Sequence, residues 1–547
     1  MPDRDRLQSL LRRIDGRPYP AWRDLLGTWR LGALQLVVDH VQGDPFAAPS
    51  ALRVRFAHGI DPGLVSDADG RLAAEDWLLR RFGAVLEGHP RGSGRSGALD
   101  IYRPGPEILE RSAARLLSGG RAELRFAAGL PAQGRRVLGR QGWAMLTEDI
   151  PHAVARLRPD ETLAAQVHAA RLQRALRRKL DEHGLIAFVA DGSVLPRASG
   201  VDTRPLASAV PFESPPALRV TLETPFGAVT GMGLPRGVTV IVGGGFHGKS
   251  TVLAALARGH LDHVPGDGRE RVVALADTVK VRAEDGRRVA GVDISAFLRE
   301  LPGGLSTAPF FSDDASGSTS QAAALVEALE SGARVLLMDE DTCATNLMVR
   351  DARMRALIPR DREPITPLVE RVRQLVDAWG LSVVLVIGGV GDYLGVADVV
   401  LSMEDHRAHD RTAEARALGI PAPPAPGPLP RPAPRVPLRA GLEPGKIRAW
   451  DERRLRYGDA EIELGAVEQL LDPAQAWTVG QALRLLYEDI VDGRRDLPAA
   501  LDALDAMLDA EGVELLSPRE WPAGGLVRPR RHEVAAALSR LRTLRVR

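Results

Sequence analysis

The 547-residue sequence has few aromatic residues, few lysines and one cysteine. Aromatic side chains make up 4% of the chain, so the core must be built mainly from Ala, Leu and Val. The single cysteine, Cys343, excludes an intramolecular disulfide and a zinc site made of cysteines, and it favours a reducing compartment. The 72 basic and 71 acidic residues nearly cancel, so net charge does not indicate a polyanionic partner.

Long hydrophobic runs are also absent. The longest run, residues 381–390, contains a serine and two glycines and is half of the roughly 20 residues that a bilayer-spanning helix needs. The N-terminus lacks the apolar segment of a signal peptide. We therefore expect a soluble, cytoplasmic protein with no membrane part, which excludes a permease.

Length and composition indicate several globular domains. A chain of this size holds roughly three domains, and 44% hydrophobic with 26% charged residues is ordinary for globular proteins. We expect a mixed α+β N-terminal domain over 1–212, an α/β core over 213–420, a proline-rich linker over 421–438 and a small, mainly helical domain over 439–547.

The N-terminal region mixes strand and helix patterns. Leu- and Val-rich runs predict strands over 34–38 and 52–56, and apolar spacing predicts helices over 106–119 and 160–183. The second of these helices carries a basic cluster: Arg171, Arg174, Arg177, Arg178 and Lys179. Such a cluster is typical of a solvated helix face, and contact with phosphates is the alternative.

The middle of the chain alternates continuous apolar runs with helix-forming stretches. The runs cover residues 238–242, 272–275, 335–338, 383–387 and 399–401. Continuous runs are typical of strands that are buried on both faces, and their alternation with helices predicts a largely parallel sheet.

The segment from Pro421 to Pro437 has nine prolines among 17 residues. Proline lacks the backbone N–H and fixes φ, so this segment is predicted to be an extended spacer without helix or central strand. Beyond it we expect helices over 478–490 and 533–544, and the last 20 residues hold seven arginines and one acidic residue.

The strongest chemical signal is the sequence GGGFHGKS at 243–250, which fits the phosphate-binding pattern G-x-x-x-x-G-K-[ST] between a predicted strand and a predicted helix. Glycines let backbone N–H groups turn toward phosphate oxygens, and the following helix adds its positive end. Lys249 supplies a charge to the phosphates, and Ser250 offers a hydroxyl to Mg²⁺.

The second signal is VLLMDED at 335–341, an apolar strand that ends in carboxylates. Asp339 is placed to hold Mg²⁺ or its water shell, and Glu340 to polarise the attacking water. A strand ending in an acidic turn is the alternative, but the phosphate loop favours the catalytic interpretation. A kinase does not require the adjacent Glu340, so this residue favours hydrolysis over phosphate transfer.

The third signal is the sequence ASGSTSQ at 315–321, which precedes a helix-forming stretch. A Ser-Gly turn at a helix start forms an anion site, and an ordinary N-cap serine is the alternative. Lying between the two nucleotide motifs, this turn resembles the signature loop of ABC-type ATPases, which closes over the γ-phosphate bound to the opposite subunit.

A wider set of motifs resembles one family, the predicted ATPases of the ABC class, which are soluble proteins with an ABC-ATPase domain. The matching stretches are IDGRPY (14–19), DHVQGDPFA (39–47), GSGRSG (92–97), GGGFHGKST (243–251), PGDGRE (265–270), VRAEDGR (281–287), DASGSTSQAA (314–323), MDEDTCATN (338–346), EPITP (363–367), VIGGVGDYLGVADVV (386–400) and, weakly, AVEQLLDPAQ (466–475).

This resemblance implies a P-loop fold of the ABC type and a homodimer that sandwiches ATP and Mg²⁺ between two cores. Glu340 and Lys249 would be catalytic, and Ser250 and Asp339 would hold the metal. Residues 342–346, with Cys343 as a packing residue, would form the loop that crosses the dimer interface. The implied nucleotide contacts are Gly243, Gly244, Gly245, Phe246, His247, Gly248, Lys249, Ser250, Thr251, Ser316, Gly317, Ser318 and Phe226.

Three features of the sequence qualify this implied site. ABC ATPases carry a switch histidine after the strand that follows Asp-Glu, but here that strand runs into Gly388 and Gly389. The loop expected to bear a glutamine offers Glu284 and Asp285, each of which is either a contact to Mg²⁺ or water or a plain turn residue. Phe226 lies where an adenine-stacking aromatic is expected, although Phe is more often a core residue.

Two functions remain open. The first is an ATPase whose hydrolysis drives conformational change on a macromolecular partner. The alternative is a nucleotide-regulated protein that binds RNA or DNA through the basic cluster at 171–179, the arginine-rich end and the loop GSGRSG at 92–97, with slow or no turnover. A phosphate-loop kinase is disfavoured by the Asp-Glu pair and the signature-like turn.

Overall fold

The computed structural model describes residues 2–299, 301, 304–351, 357–358, 362–429 and 431–547. Their contacts form two compact units, one of residues 1–171 with 511–528 and one of residues 172–510 with 529–547. The predicted boundary at residue 212 does not coincide with this division, because the strand Leu185–Ala190 pairs with two strands of the second unit. The remaining predicted boundaries stay predictions.

The first unit is a mixed α+β structure. Its strands are β1 (Gly27–Leu31), β2 (Leu34–His40), β3 (Ser50–Ala57), β4 (Leu99–Asp100), β5 (Glu107–Ile108), β6 (Ala114–Leu117), β7 (Arg121–Ala128), β8 (Ala132–Gln133) and β9 (Arg136–Val137). Its helices are α1 (Arg4–Ile14), α2 (Ala68–Val85), α3 (Gly139–Ala144) and α4 (Ile150–Ala155). Strands β1-β2-β3-β7-β4 form an antiparallel sheet in this order, with β6 also paired to β7.

Two of the predicted strands in this unit are confirmed as β2 and β3. The helix predicted over 106–119 is wrong. Its segment forms β5 and β6, and in β6 the buried residues Ala114 and Leu116 alternate with half-buried ones. The segment also has apolar residues at every second position, which is the pattern of a strand. It forms a strand because β6 can make its backbone hydrogen bonds with the neighbouring strand β7.

Helix α5 (Glu161–Glu182) confirms the helix predicted over 160–183, and its last residues, from Leu172 on, belong to the second unit. The following strands are β10 (Leu185–Ala190), β11 (Arg219–Thr224), β12 (Gly227–Pro235), β13 (Val238–Val242), β14 (Asp262–His263), β15 (Val272–Ala274), β16 (Thr278–Lys280), β17 (Arg287–Val292), β18 (Phe310–Ala315), β19 (Val335–Asp339), β20 (Ser382–Val386), β21 (Val399–Glu404), β22 (Arg407–Asp410), β23 (Ile447–Ala449), β24 (Arg454–Tyr457) and β25 (Ala460–Glu463). The helices are α6 (Lys249–Arg258), α7 (Gly317–Glu330), α8 (Thr345–Met348), α9 (Leu368–Trp379), α10 (Thr412–Ala417), α11 (Pro473–Leu485), α12 (Leu497–Glu511) and α13 (Arg531–Arg540).

The predicted α/β core with a mostly parallel sheet is confirmed. Strands β16-β19-β20-β13-β21 are parallel in this order, and β22 adds an antiparallel edge. Alternate residues of β19 point into different cores: Leu336 packs with α7 and α9 on one face, and Leu337 with α6 on the other. Burial on both faces explains why these strands are continuous apolar runs.

The apolar run at 272–275 does not join the parallel sheet. Its strand β15 pairs antiparallel with β10, in a four-stranded sheet of order β11-β12-β10-β15. This sheet packs in the same core as α6. A fully buried strand has the same apolar pattern in either sheet, so the pattern alone did not separate the two.

Residues 439–547 contain more than the predicted helices. The strands β23, β24 and β25 form an antiparallel sheet, and α11 packs on it. The helices predicted over 478–490 and 533–544 correspond to α11, with a π-helical end at Leu486–Ile490, and to α13.

The proline-rich segment has no helix or strand among its described residues, 421–429 and 431–437. Within the second unit, Arg435 ties this segment to two helices. The buried Arg435 guanidinium donates to Glu330 Oε2 at 2.7 and 2.9 Å, at the end of α7, and also donates to Ser539 Oγ on α13. Removing one partner of a buried, hydrogen-bonded ion pair of this kind lowers the free energy of unfolding by about 3–5 kcal/mol.

Throughout the described parts of the chain, none of the helices combines the length and apolar character that crossing a bilayer requires.

Candidate functional site

The loop GGGFHGKS joins the central strand β13 to helix α6, at the carboxyl end of the parallel sheet. Two glycines are required by its shape. Gly243 has φ of 137°, and a Cβ there would lie 2.4 Å from the carbonyl oxygen of Met403. Gly248 has φ of 99° and caps α6, whose first N–H groups have no acceptor within the helix. The backbone N–H groups of the loop and the positive end of α6 therefore face the same place, where a phosphate can bind.

Lys249 is the first residue of α6 and is folded back over the loop. Its Nζ donates hydrogen bonds to the carbonyl oxygens of Gly243 and Gly244 at 2.7 and 2.8 Å. These bonds hold the ammonium group over the loop, where a phosphate oxygen is a stronger acceptor than a neutral carbonyl.

Ser250 and Asp339 meet across the sheet. Asp339 ends strand β19, and its buried carboxylate Oδ2 accepts a hydrogen bond of 2.9 Å from Ser250 Oγ. A hydroxyl and a carboxylate oxygen are the ligands that Mg²⁺ prefers, and one or two protein ligands suffice when phosphates and water complete the shell. No group of three or more His, Cys, Asp or Glu suited to a metal occurs among the residues described, so a tighter all-protein site is not present there.

Glu340 follows directly and is held by backbone donors. Its Oε2 accepts hydrogen bonds from the N–H groups of Gly388 at 2.5 Å and Gly389 at 3.2 Å, just after strand β20. These are the glycines that occupy the place of the expected switch histidine. From the sequence, the two glycines indicate only that the switch histidine is missing, whereas in the structure their N–H groups hold one oxygen of the Glu340 carboxylate.

The signature-like turn starts helix α7. Ser316 is the exposed N-cap residue, and its Oγ lies 3.1 Å from Thr319 Oγ1 and 3.4 Å from Ser318 Oγ. Gly317 is half-buried and Ser318 is buried. The three predicted residues thus lie together at one helix start, with Ser316 as the member that faces solvent.

The loop after Asp339-Glu340 connects to this turn. Ala344 N–H donates to Gln321 Oε1 on α7 at 2.7 Å, and Thr342 accepts from Ala283 N–H at 3.0 Å. Cys343 lies between these contacts, and burial raises the pKa of its thiol to about 12. A thiol with this pKa is a poor nucleophile at neutral pH, which agrees with its interpretation as a packing residue.

The two acidic residues of the VRAEDGR stretch have different surroundings. Glu284 Oε2 accepts from Arg540 on α13 at 2.8 Å, and its N–H donates to Ser320 Oγ. Asp285 lies beside the signature-like turn, because its Oδ1 is 3.1 Å from the place of a Cβ on Gly317. Glu284 is therefore engaged by the C-terminal part of the chain, and Asp285 is the one next to the predicted nucleotide contacts.

A cavity of about 700 Å³ opens beside the phosphate loop. Its lining includes Lys249, Ser250 and Thr251, together with apolar residues of the segment 195–212 and of strand β21. Phe246 is fully exposed at its mouth, and His247 Nδ1 accepts from Asp405 N–H at 2.8 Å, a loop-packing contact. Phe226, on the turn between β11 and β12, is not one of the described residues that line this cavity.

The segment 195–212 contributes to the lining of this cavity, and none of the motifs in the sequence predicts that contribution. The predicted N-terminal domain includes this segment, which carries no recognised motif. The signal that was available is composition: Leu206, Ala209, Val210 and Phe212 place apolar side chains in a loop that is otherwise rich in Ser, Pro and Arg.

Several of the basic residues considered for nucleic-acid contact form ion pairs with acidic residues of the chain. On α5, Arg174 and Arg177 both bind the buried Asp262. Near the C-terminus the pairs are Arg530 with Glu533, Arg531 with Asp502, and Arg540 with Glu284. The charge of these arginines is thus largely used within the chain.

The parallel sheet, the phosphate loop and the Ser250–Asp339 pair define a P-loop nucleotide-binding core of the ABC type. Three family models match consecutive parts of the chain: an N-terminal model for ATPases of the ABC class over residues 4–158, an ABC ATPase P-loop domain over 159–424, and the MRB1590 C-terminal domain over 446–547. The chain belongs to the ATPases of the ABC class.

Individual relatives match smaller parts. Uncharacterized protein MJ1628 of Methanocaldococcus jannaschii is 31% identical over 248 residues, which cover 43% of this chain and 54% of that protein. The chain therefore spans about half the length of the curated relative that it matches.

Two solved ABC structures were also found. CbiO1 of Clostridium perfringens, part of the ABC transporter complex cbiONQ, is 15% identical with a TM-score of 0.26 and covers 43% of this chain and 91% of its own. A bacterial Atm1-family ABC exporter with ATP bound is 14% identical with a TM-score of 0.25 and covers 53% of this chain and 52% of its own.

Proposed function

We propose that the chain binds ATP with Mg²⁺ at the phosphate loop and hydrolyses it. The observation that carries this proposal is the contact between Ser250 Oγ and Asp339 Oδ2, with the fixed Glu340 carboxylate one residue further along. The metal ligands and a candidate base then lie at the carboxyl ends of the parallel strands β13 and β19, on either side of β20 and beside a loop shaped for phosphates.

The binding roles follow from the donors. The loop N–H groups and Lys249 take the phosphates, and Lys249 exchanges its two carbonyl acceptors for phosphate oxygens. Ser250 and Asp339 would hold Mg²⁺, which neutralises phosphate charge when it is bound.

Glu340 acts on the attacking water. Because Gly388 and Gly389 hold one of its oxygens, the other is available to accept a proton from water or to orient it. A group fixed in this way needs little reorganisation on reaching the transition state, which is the advantage of a preorganised site. This gives hydrolysis a base without the switch histidine.

We further propose that two chains close on the nucleotide and that Ser316, Gly317 and Ser318 of one protomer contact the γ-phosphate bound to the other. The exposed position of Ser316 at the start of the 14-residue helix α7 supports this, because a free helix start and hydroxyls suit an anion. Cycles of closing and opening would then be coupled to conformational change on a macromolecular partner.

The proposal is tested with Glu340→Gln. We expect ATP binding to be retained, measured by calorimetry with Mg²⁺, and phosphate release to fall by about 100-fold or more, since general base catalysis contributes roughly 10²–10⁴-fold. Glu414→Gln, at an exposed position on α10, is the control and should hydrolyse ATP like the wild type. Wild-type turnover in Glu340→Gln would refute the role of Glu340.

The dimer is tested separately. Glu340→Gln with ATP and Mg²⁺ should double its mass in light scattering after size exclusion, and the additional change Ser316→Arg should keep it monomeric. A nucleotide-bound protein that stays monomeric in both variants would refute the sandwich while leaving ATP binding intact.

A further inference from the structure

The cavity beside the phosphate loop is larger than a triphosphate needs. Its volume of about 700 Å³ lies within the range of 300–1,000 Å³ that is typical of small-molecule sites. The loop residues occupy one part of its lining, and the rest is mainly apolar: Leu195, Pro196, Leu206, Ala209, Val210 and Phe212. An apolar wall next to a phosphate loop suits the uncharged part of a nucleotide.

This wall is built before any ligand arrives. Arg197 pairs with the buried Asp267 at 2.8 Å and also donates to its carbonyl oxygen at 2.7 Å. Arg269 donates two hydrogen bonds to the carbonyl oxygen of Leu195. Further along, Phe212 N–H donates to the carbonyl oxygen of Ser193 at 2.8 Å. The segment 195–212 is thus fixed at both ends, so little ordering would be needed on binding.

Aromatic and aliphatic side chains line the cavity. Phe212 is buried in the core with its neighbours from β10 and α6, while Phe246 and His406 on the opposite loops are exposed. Aromatic and aliphatic side chains bind a base by stacking and burial, without base-specific hydrogen bonds.

We propose that the base of the bound nucleotide lies against the segment 195–212 and not against Phe226. The inference rests on the proposed binding of ATP and deepens it, by assigning the nucleoside to a different segment from the one expected from the sequence. Phe226 lies on a hairpin turn, where its N–H bonds to Thr224 Oγ1. The segment 195–212 is then the part of the chain that distinguishes a nucleotide from an inorganic triphosphate.

Neighbouring exposed positions give a matched test. Ser208 lines the cavity, whereas the adjacent Ala207 is exposed and does not. Ser208→Trp should fill the cavity and weaken ATP binding by about tenfold or more, because the base of the nucleotide would no longer be buried there. Binding of inorganic triphosphate with Mg²⁺, measured by calorimetry, should stay within about twofold of the wild type. Ala207→Trp and Phe226→Ala should leave both affinities within about twofold.

A second substitution, Ala209→Trp, fills the same cavity from a half-buried position and should repeat the selective loss. ATP binding of wild-type strength in Ser208→Trp and Ala209→Trp, or a larger loss in Phe226→Ala, would overturn the inference. A wild-type protein that binds neither ATP nor triphosphate would overturn the proposed function and this inference together. Absence of hydrolysis with ATP binding intact would refute only the catalytic part of the proposed function.

Discussion

The chain contains two glycine-rich loops with similar sequences and different structures. The loop GSGRSG (92–97) of the first unit uses its backbone within that unit: the N–H groups of Ser93, Arg95 and Gly97 donate to carbonyl oxygens at 2.7–2.8 Å. A Cβ on Gly97 would lie 2.0 Å from the carbonyl oxygen of His89. The glycines of this loop let backbone segments approach each other.

The loop GGGFHGKS uses its glycines differently. Gly245 lines the cavity, and a Cβ added there would meet no protein atom within 4 Å. The loop also leads directly into α6, whose first turn has free donors. The protein leaves space unfilled at Gly245, and a ligand can occupy it. Glycine content alone does not distinguish the two loops; the lysine and the helix that follow do.

The largest effect should come from removing the lysine of the phosphate loop, compared with removing the arginine of the other loop. Lys249→Ala should weaken ATP binding by roughly tenfold to 100-fold, because a charged hydrogen bond to phosphate is lost. Arg95→Ala, at an exposed position of the other loop, should change ATP affinity by less than about twofold. Calorimetry on both variants checks this contrast, and equal losses would show that the first unit also binds nucleotide.

The next effect concerns stability. Gly129→Ala would place a Cβ 1.8 Å from the carbonyl oxygen of Arg95, so the first unit should lose about 1–3 kcal/mol of unfolding free energy. Gly43→Ala, where nothing lies within 4 Å, is the matched control in the same unit. Denaturant unfolding measures both variants, and ATP affinity should stay unchanged. A Gly129→Ala protein as stable as the control would contradict the close packing of this loop.

The complementary change is Gly245→Ala. Because its Cβ meets no protein atom, the melting temperature should stay within about 1–2 °C of the wild type. The same Cβ reduces the space for phosphate, so ATP affinity should fall by about threefold to tenfold. Thermal denaturation and calorimetry test the two parts. Unchanged ATP affinity would show that the space at Gly245 is not used by the nucleotide.

The smallest effect is expected from making the two loops more alike. Arg95→Lys brings GSGRSG closer to the phosphate-binding pattern but leaves its N–H groups bonded within the unit. It should therefore add no second nucleotide site, and the stoichiometry of ATP binding should remain that of the wild type. An additional site in calorimetry would show that sequence pattern outweighs the backbone bonds.

Much of the core could be predicted because its signals are local. The strand before the phosphate loop, the helix after it and the strand ending at Asp339 all follow from apolar patterns and motif spacing. The contact of Ser250 with Asp339 follows in turn, since the carboxyl ends of parallel strands meet at one edge.

The rest depends on contacts between distant parts of the chain. The role of Gly388 and Gly389 depends on the contact of their N–H groups with Glu340, which lies 48 residues before Gly388 in the chain. The placement of β15 outside the parallel sheet depends on its partner β10, and the cavity wall at 195–212 depends on Arg197 and Arg269. Local sequence patterns do not encode such pairings.

The pairing of Arg435 with Glu330 bears on how the chain can be divided. The proline-rich segment is an obvious place to end a shortened protein. A protein that ends there before Arg435 would lack the guanidinium that pairs with Glu330 at the end of α7. The shortened protein would keep every motif for nucleotide chemistry and still carry an uncompensated negative charge in its interior. A minimal fragment that contains the phosphate loop and keeps its fold should therefore extend past Arg435 and include Ser539, on the helix that shares this contact.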